Sequence, residues 1–153
     1  MTIYIGADHR GFDLKATIAA ALVSDGHEVM DVGAAALDPA DDYPDFARAV
    51  AEKVVVASGA ARGIVICGSG FGADIVANKF KGVRCALAMS PEHIRAGRHE
   101  DDVNVLSIAA NFITPDQALA IARAFLSTSF EKGTERYARR IQKIAQIEDA
   151  NKQ

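Results

Sequence analysis

Short apolar runs along the chain alternate with longer stretches whose apolar residues recur every three or four positions. Residues 2–6 form a short apolar run ending in glycine, and 28–32, 63–67, 84–88 and 103–107 read as further strands. Helical spacing covers 14–22, 46–56, the stretch from the glycines after Cys67 to about 78, 91–97, and 114 to about 126. Thr114-Pro115-Asp116 suits a helix start, with Thr as cap, Pro at the first helical position and an acid in the first turn. A last helix, 135 to about 148, carries Ile141, Ile144, Ala145 and Ile147, and 146–153 are expected to fray. Asp25-Gly26, Ser58-Gly59 and Lys132-Gly133 punctuate the pattern, and 34–42 reads as a loop.

Strands that alternate with helices predict an α/β fold with a parallel sheet. The expected architecture is a three-layer α/β/α sandwich on a Rossmann-like, five-stranded parallel sheet. No repeat, low-complexity tract or linker interrupts the 153 residues, so they are expected to form one domain. The terminal helix either docks on its own sheet or reaches a second subunit.

Composition narrows the partners. Half the residues are apolar, 24% are charged and the formal charge is -3, so nucleic-acid binding has little electrostatic support. No apolar run has membrane-spanning length, and Met1 to Gly6 has neither a basic segment nor a signal-type apolar stretch, so the expected compartment is the cytoplasm. Cys67 and Cys85 do not make a disulfide framework, and the four histidines show no zinc-type spacing with them, so a metal is not expected.

In open parallel sheets ligands sit beyond the carboxyl ends of the strands. After the first predicted strand comes Gly6-Ala7-Asp8-His9-Arg10-Gly11-Phe12. Asp8 and His9 suit hydrogen bonds to ligand hydroxyls or proton transfer; an Asp capping the first helix beside a solvated His accounts for the pair equally well. After the third strand comes Cys67-Gly68-Ser69-Gly70-Phe71-Gly72-Ala73-Asp74. Glycines let the backbone approach a ligand, and the free amides of a helix start favour an anion. The same field favours thiolate over thiol at Cys67, which could then act as a general base while the amides of Gly70 to Gly72 hold an oxyanion. The alternative is a structural cysteine on a core strand.

Two other chemistries fail on spacing. A cysteine-phosphatase loop needs Arg six positions after the nucleophile, where this chain has Ala73. A dinucleotide fingerprint belongs after the first strand, whereas this Gly-x-Gly-x-Gly turn follows the third. Two more polar segments stand out. Arg98-His99-Glu100-Asp101-Asp102-Val103-Asn104 precedes the fifth strand and is expected as a solvated loop unless it serves a site. Arg136 and Arg140 share a helix face and could bind a phosphate, or simply be solvated.

In order and spacing these motifs resemble the ribose-5-phosphate isomerase B family, which also includes the galactose-6-phosphate isomerase subunits. The resemblance covers nearly the whole chain. It rests on residues 6–12 with Leu14-Lys15, on Asp42-Tyr43-Pro44, on 63–72 with Ala77-Asn78-Lys79, on Asn104-Val105-Leu106, and on Arg136 to Arg140. It implies an aldose–ketose isomerase that acts on a sugar phosphate through a cis-enediolate, without metal or organic cofactor. It also implies a homodimer, with dimers of dimers open, whose sites draw on both subunits.

By this resemblance Cys67 is the base, and Ser69 with Gly68, Gly70, Phe71 and Gly72 forms the loop around the enediolate oxygens. Asp8, His9 and Tyr43 lie at the sugar, and Arg136 and Arg140 bind the phosphate, across the dimer interface. Some members use a Glu where this chain has Ala73, so it is of the cysteine type. Three departures stand out. Glu100-Asp101-Asp102 replaces the family's His-Asn-Asp, leaving His99, Glu100 or His9 as the group that opens the sugar ring, and a family Arg is replaced by Asn111. The expected substrate is ribose 5-phosphate; a tetrose or hexose phosphate, or a non-catalytic binding role, is the alternative.

Overall fold

Alternate residues of a strand face opposite sides of its sheet, and the central strands use this to build two cores. Ile3, Ile5, Ile64, Ile66, Leu106 and Ile108 pack on one side with Ile18, Leu22, Ile94, Ile121 and Phe125. Val65, Cys67 and Val105 pack on the other with Val50, Val54, Ala73 and Ala77. The computed structural model describes residues 1–151. In chain order the elements are β1 (Thr2–Ala7), α1 (Phe12–Ser24), β2 (Glu28–Asp31), α2 (Tyr43–Val56), β3 (Ala61–Cys67) and α3 (Phe71–Ala77), then β4 (Cys85–Leu87), α4 (Pro91–Asp101), β5 (Val105–Ala109), α5 (Pro115–Ser127) and α6 (Glu135–Ala150).

The five strands lie in the order β2-β1-β3-β5-β4, and every pairing is parallel. Helices α1, α4 and α5 contribute to the first core and α2 and α3 to the second, as expected of a three-layer sandwich. The register sets Ala7 beside Ile66 and Cys67 beside Ala109. The carboxyl ends of β1, β3 and β5 therefore meet at one rim.

Helix starts follow local chemistry. Thr114 Oγ1 accepts the Gln117 amide at 3.3 Å while Gln117 Oε1 accepts the Thr114 amide at 2.8 Å, a capping box ahead of Pro115. Ser90 caps α4 in the same sense, its hydroxyl accepting the His93 amide at 3.1 Å.

Three expectations need correction. The fifth strand begins at Val105 rather than at 103, because α4 does not stop at Gly97 but runs to Asp101 and turns at Asp102 with φ of 47°. The expected solvated loop after Arg98 is thus largely helix. Its continuation is held by Arg98, 2% exposed, whose Nη1 donates to Asp102 Oδ1 at 2.7 Å and to the Val103 carbonyl at 2.5 Å. The tail does not fray at 146 but stays helical through Ala150. There Glu148 accepts the Gly82 amide at 3.0 Å and Asp149 pairs with Lys81. The end of that expected tail, residues 152–153, lies outside the described residues.

The loop between β2 and α2 is pinned from below. Lys15 on α1 is 2% exposed, and its ammonium donates to Asp31 Oδ1 at 2.9 Å and to the Ala34 carbonyl at 2.8 Å. A buried ammonium needs such acceptors. Lys15→Met removes the donor and leaves Asp31 half-exposed, so urea denaturation should show a loss of about 1–3 kcal/mol. Amide exchange should quicken across residues 32–42.

Candidate active site

Each strand of the central trio ends in residues with polar side chains or open backbone. Beyond β1, Asp8 Oδ1 accepts the amides of Arg10 at 3.0 Å and Gly11 at 3.2 Å, which closes the turn into α1. Asp8 is thus a turn-former and, at the same time, a wall of the cavity at this rim. His9 follows. Asp41, in the pinned loop, accepts both its main-chain N–H at 2.9 Å and a contact from ring Nδ1 at 2.7 Å through one oxygen, Oδ1. Asp41 Oδ2 is buried without a hydrogen-bond partner among the described residues.

Beyond β3, the glycine turn is shaped by close approach. Gly70 has φ of +77°, and a Cβ there would stand 2.5 Å from Leu87 Cδ1. Ser107, fully buried on β5, donates its hydroxyl to the Gly70 carbonyl at 2.7 Å and holds the turn from beneath. The Asn111 amide donates to the Gly68 carbonyl at 2.9 Å, and the Ala110 amide to that of Cys67 at 3.0 Å, so the β5 end and the glycine turn are laced together. At Gly72 the missing side chain makes room for the Tyr43 ring, 2.6 Å from where a Cβ would sit.

These pieces enclose a cavity of about 560 Å³ lined by Asp8, His9, Tyr43, Cys67, Gly68 and Ser69, and also by Gly72 and Asn111. Cys67 is 3% exposed and packs with the second core, yet it borders this cavity. The other cysteine differs. Burial pushes the Cys85 thiol well up, and neighbouring Asp74 reinforces this, so Cys85 stays protonated at neutral pH.

Not every expected site residue lies here. Phe71 and Gly70 belong to the turn but do not line the cavity, and Phe71 is largely exposed. Glu100 and Asp101 line a separate groove of about 350 Å³ between α4 and β4. His99 meets Tyr137 edge-on with ring centroids 5.9 Å apart. Arg136 lies 4.9 Å over the same Tyr137 ring and donates to its hydroxyl at 3.1 Å, while Arg140 is exposed on α6. Within one chain the residues therefore fall into two groups: a Cys67 group, and a group on α4 and α6 in which His99 and Arg136 meet at Tyr137. Among the described residues no cluster of three or more His, Cys, Asp or Glu could hold a metal ion.

Two side chains at the cavity carried no assigned role in the sequence. Arg10 extends over Gly68, where a Cβ would stand 2.6 Å from Arg10 Cδ, 3.2 Å from its Nη1 and 3.0 Å from Asn111 Nδ2. Its guanidinium has no ion-pair or hydrogen-bond partner among the described residues. Asp41 is the second, hidden in the sequence as one of two acids before Tyr43-Pro44. The adjacent His9 in space, not in sequence, is what gives it a role.

The family model described as Ribose/Galactose Isomerase matches residues 3–144. The ribose-5-phosphate isomerase B of Mycolicibacterium paratuberculosis is 43% identical over 148 residues, spanning 97% of this chain and 92% of that protein. The crystal structure of ribose-5-phosphate isomerase B from Mycoplasma genitalium, with bound ribulose-5-phosphate, superposes with a TM-score of 0.93 at 40% identity, covering 97% of this chain and 96% of that one. The Clostridium thermocellum ribose-5-phosphate isomerase B structure gives 0.92 at 40% identity over 98% and 99% of the two chains.

The glycine turn makes a sharp prediction. Gly72→Ala forces the Tyr43 ring to move, so it should cost about 1–3 kcal/mol in urea denaturation and shift the Tyr43 ring resonances. Gly68→Ala meets only the flexible Arg10 and Asn111 side chains, and its loss should be the smaller of the two.

Proposed function

The chain belongs to the ribose/galactose isomerase family, and from that premise we propose that it interconverts ribose 5-phosphate and ribulose 5-phosphate with Cys67 as the base. The observation that carries this reading is the placing of the Cys67 thiol in one cavity with Asp8, His9, Ser69 and an open glycine backbone.

In the proposed reaction the thiolate of Cys67 takes the proton from C2 of the open-chain aldose. The electron pair moves into the C1–C2 bond, and the C1 carbonyl oxygen becomes the oxyanion of a cis-enediolate. The amides of the Gly70–Gly72 turn and the Ser69 hydroxyl stabilise that charge where it develops. The C2 hydroxyl gives up its proton along the same hydrogen-bonded rim to O1. The thiol then returns its proton to C1, which leaves the ketose. A thiolate base and main-chain donors suffice for this sequence, so the reading needs neither a metal nor an organic cofactor.

Ring opening must come first. His9 borders the same cavity, and Asp41 fixes its Nδ1 at 2.7 Å, which leaves the other ring nitrogen to exchange a proton with the ring oxygen. Arg10 supplies a cation beside Asn111, at the position where the family pattern has an arginine, and so binds the anionic end of the substrate.

The group on α4 and α6, with His99, Glu100, Asp101, Arg136 and Arg140, completes the site of a second copy in this reading. Exposed apolar side chains at the carboxyl-end loops favour such pairing: Phe71 after β3, Met89 after β4 and Phe112 after β5. The homodimer, built of one domain per chain and acting in the cytoplasm, follows from the same reading; among the described residues no helix is long and apolar enough to cross a membrane.

Cys67→Ala should lower kcat about 10²–10⁴-fold while calorimetric binding of ribose 5-phosphate persists; full activity in that variant would count against the proposal. Arg10→Ala should raise KM about tenfold with less effect on kcat. EDTA should leave the rate unchanged. If a tetrose or hexose phosphate gives the best kcat/KM in a panel of sugar phosphates, the chemistry stands and the pentose assignment falls.

A further inference from the structure

A second charged cavity lies at the opposite rim of the sheet, where the strands begin. Arg62 near the start of β3, Arg84 just before β4, and Arg98 on α4 converge on it with Lys132, and its volume is about 470 Å³. Arg62 and Cys67 stand five positions apart on β3, roughly 16 Å at a strand's rise per residue. This cavity is therefore separate from the Cys67 cavity.

Its charges do not balance. Among the lining residues Asp102 is the one carboxylate, and both its oxygens are already engaged. Oδ1 accepts from Arg98 Nη1 at 2.7 Å and Oδ2 from Arg84 Nη2 at 2.7 Å. Arg98 also donates to the Thr128 carbonyl at 3.3 Å, and Arg84 Nε to the Asp102 carbonyl at 2.9 Å, so these two guanidiniums are structural as well as charged. Arg62 is left over. Its Nη1 reaches the carbonyls of Ala61 at 3.1 Å and Gly59 at 3.4 Å, and its Nε and Nη2 have no acceptor among the described residues. Lys132 forms no ion pair among them either.

A half-buried guanidinium without a carboxylate, beside two others, is electrostatically uncomfortable. Burial weakens the hold of Arg62 on its proton, nearby Arg98 and Arg84 weaken it further, and Asp102 only partly opposes them. A ligand that brings two or more negative charges and several acceptor oxygens relieves this crowding. A phosphate group does both, and guanidinium forks bind it in two-point fashion. A monocarboxylate brings a single charge against a surplus of three cations.

We propose that this amino-end cavity is a binding site for a compact phosphate-class anion, held by Arg62 and Lys132 against the fixed Arg84–Asp102–Arg98 cluster. Because Arg98 and Asp102 also set the end of α4, which carries His99 and Glu100, an anion bound here tightens that segment.

The test is a titration of the full chain with inorganic pyrophosphate at about 0.15 M salt, followed by ¹H–¹⁵N NMR, with AMP as a parallel arm. The expected result is saturable movement of the Arg62, Asn104, Ser129 and Lys132 amides. Arg62→Gln should weaken that response at least about tenfold and Lys132→Gln about threefold, with resonances around Cys67 undisturbed. If Arg62→Gln fails to fold, the Lys132→Gln response decides alone. A response to pyrophosphate but not AMP assigns the site to inorganic phosphates, and a response to both assigns it to phosphate esters as well. Shifts confined to the Cys67 and Arg10 cavity, or wild-type affinity in the folded variants, overturn the proposal.

Discussion

The parallel register of β1, β3 and β5 is the constraint on which the rest of this structure depends. Ladder hydrogen bonds set Ala7 beside Ile66 and Cys67 beside Ala109. A slip of one residue would turn Cys67 away from its present face and exchange the two cores. The register continues past the strands as single bonds: Asp8 N–H to the Ile66 carbonyl at 3.4 Å, and Asn111 N–H to that of Gly68 at 2.9 Å. Because buried backbone groups must be paired, these bonds fix the loop starts as firmly as the strands. The acid, imidazole, thiol and open amides that the proposed isomerisation would use line one small volume, and the sheet supplies that volume before any ligand arrives.

The same parallel arrangement gives the two rims of the sheet different characters. At the carboxyl rim, glycines keep side chains away so that backbone amides and Cys67 border open space. At the amino rim, arginines crowd around one carboxylate, with Arg98 of α4 buried over the Phe125 ring of α5. Helix α4 runs between the two regions. Its first turn is capped by Ser90 after β4, and its last holds the amino-rim cluster through Asp102. Few of the side chains of α6 are buried; Ile144 is partly open to solvent and Ile147 largely so. This helix makes little contribution to its own core.

Much of this was legible in the sequence because it is local. Short apolar runs marked the five strands, and Thr114-Pro115-Asp116 announced α5. The glycine turn declared itself by composition, and its motifs resembled a family whose fold the structure matches. What stayed hidden is what depends on residues far apart in sequence. Asp41 looked like a loop acid because its partner His9 lies 32 residues away. Arg98 looked solvated because the carbonyls of Val103 and Thr128, which bury it, are not visible as a pattern. Lys15 stood only as part of a motif, with no role assigned, although Asp31 and Ala34 enclose its charge. The β5 start was misplaced because Val103 is apolar and buried yet belongs to the turn after α4.

The most direct test of the central claim is a crystal structure of the protein with a phosphorylated four-carbon hydroxamate, a planar and unreactive mimic of the enediolate. The account places Cys67 Sγ within about 3.5 Å of the two atoms that stand for C1 and C2, with the planar oxygens facing the Gly70–Gly72 amides. A complex in which a carboxylate such as Asp8 occupies that position, and the thiol points into the core away from the ligand, would contradict it.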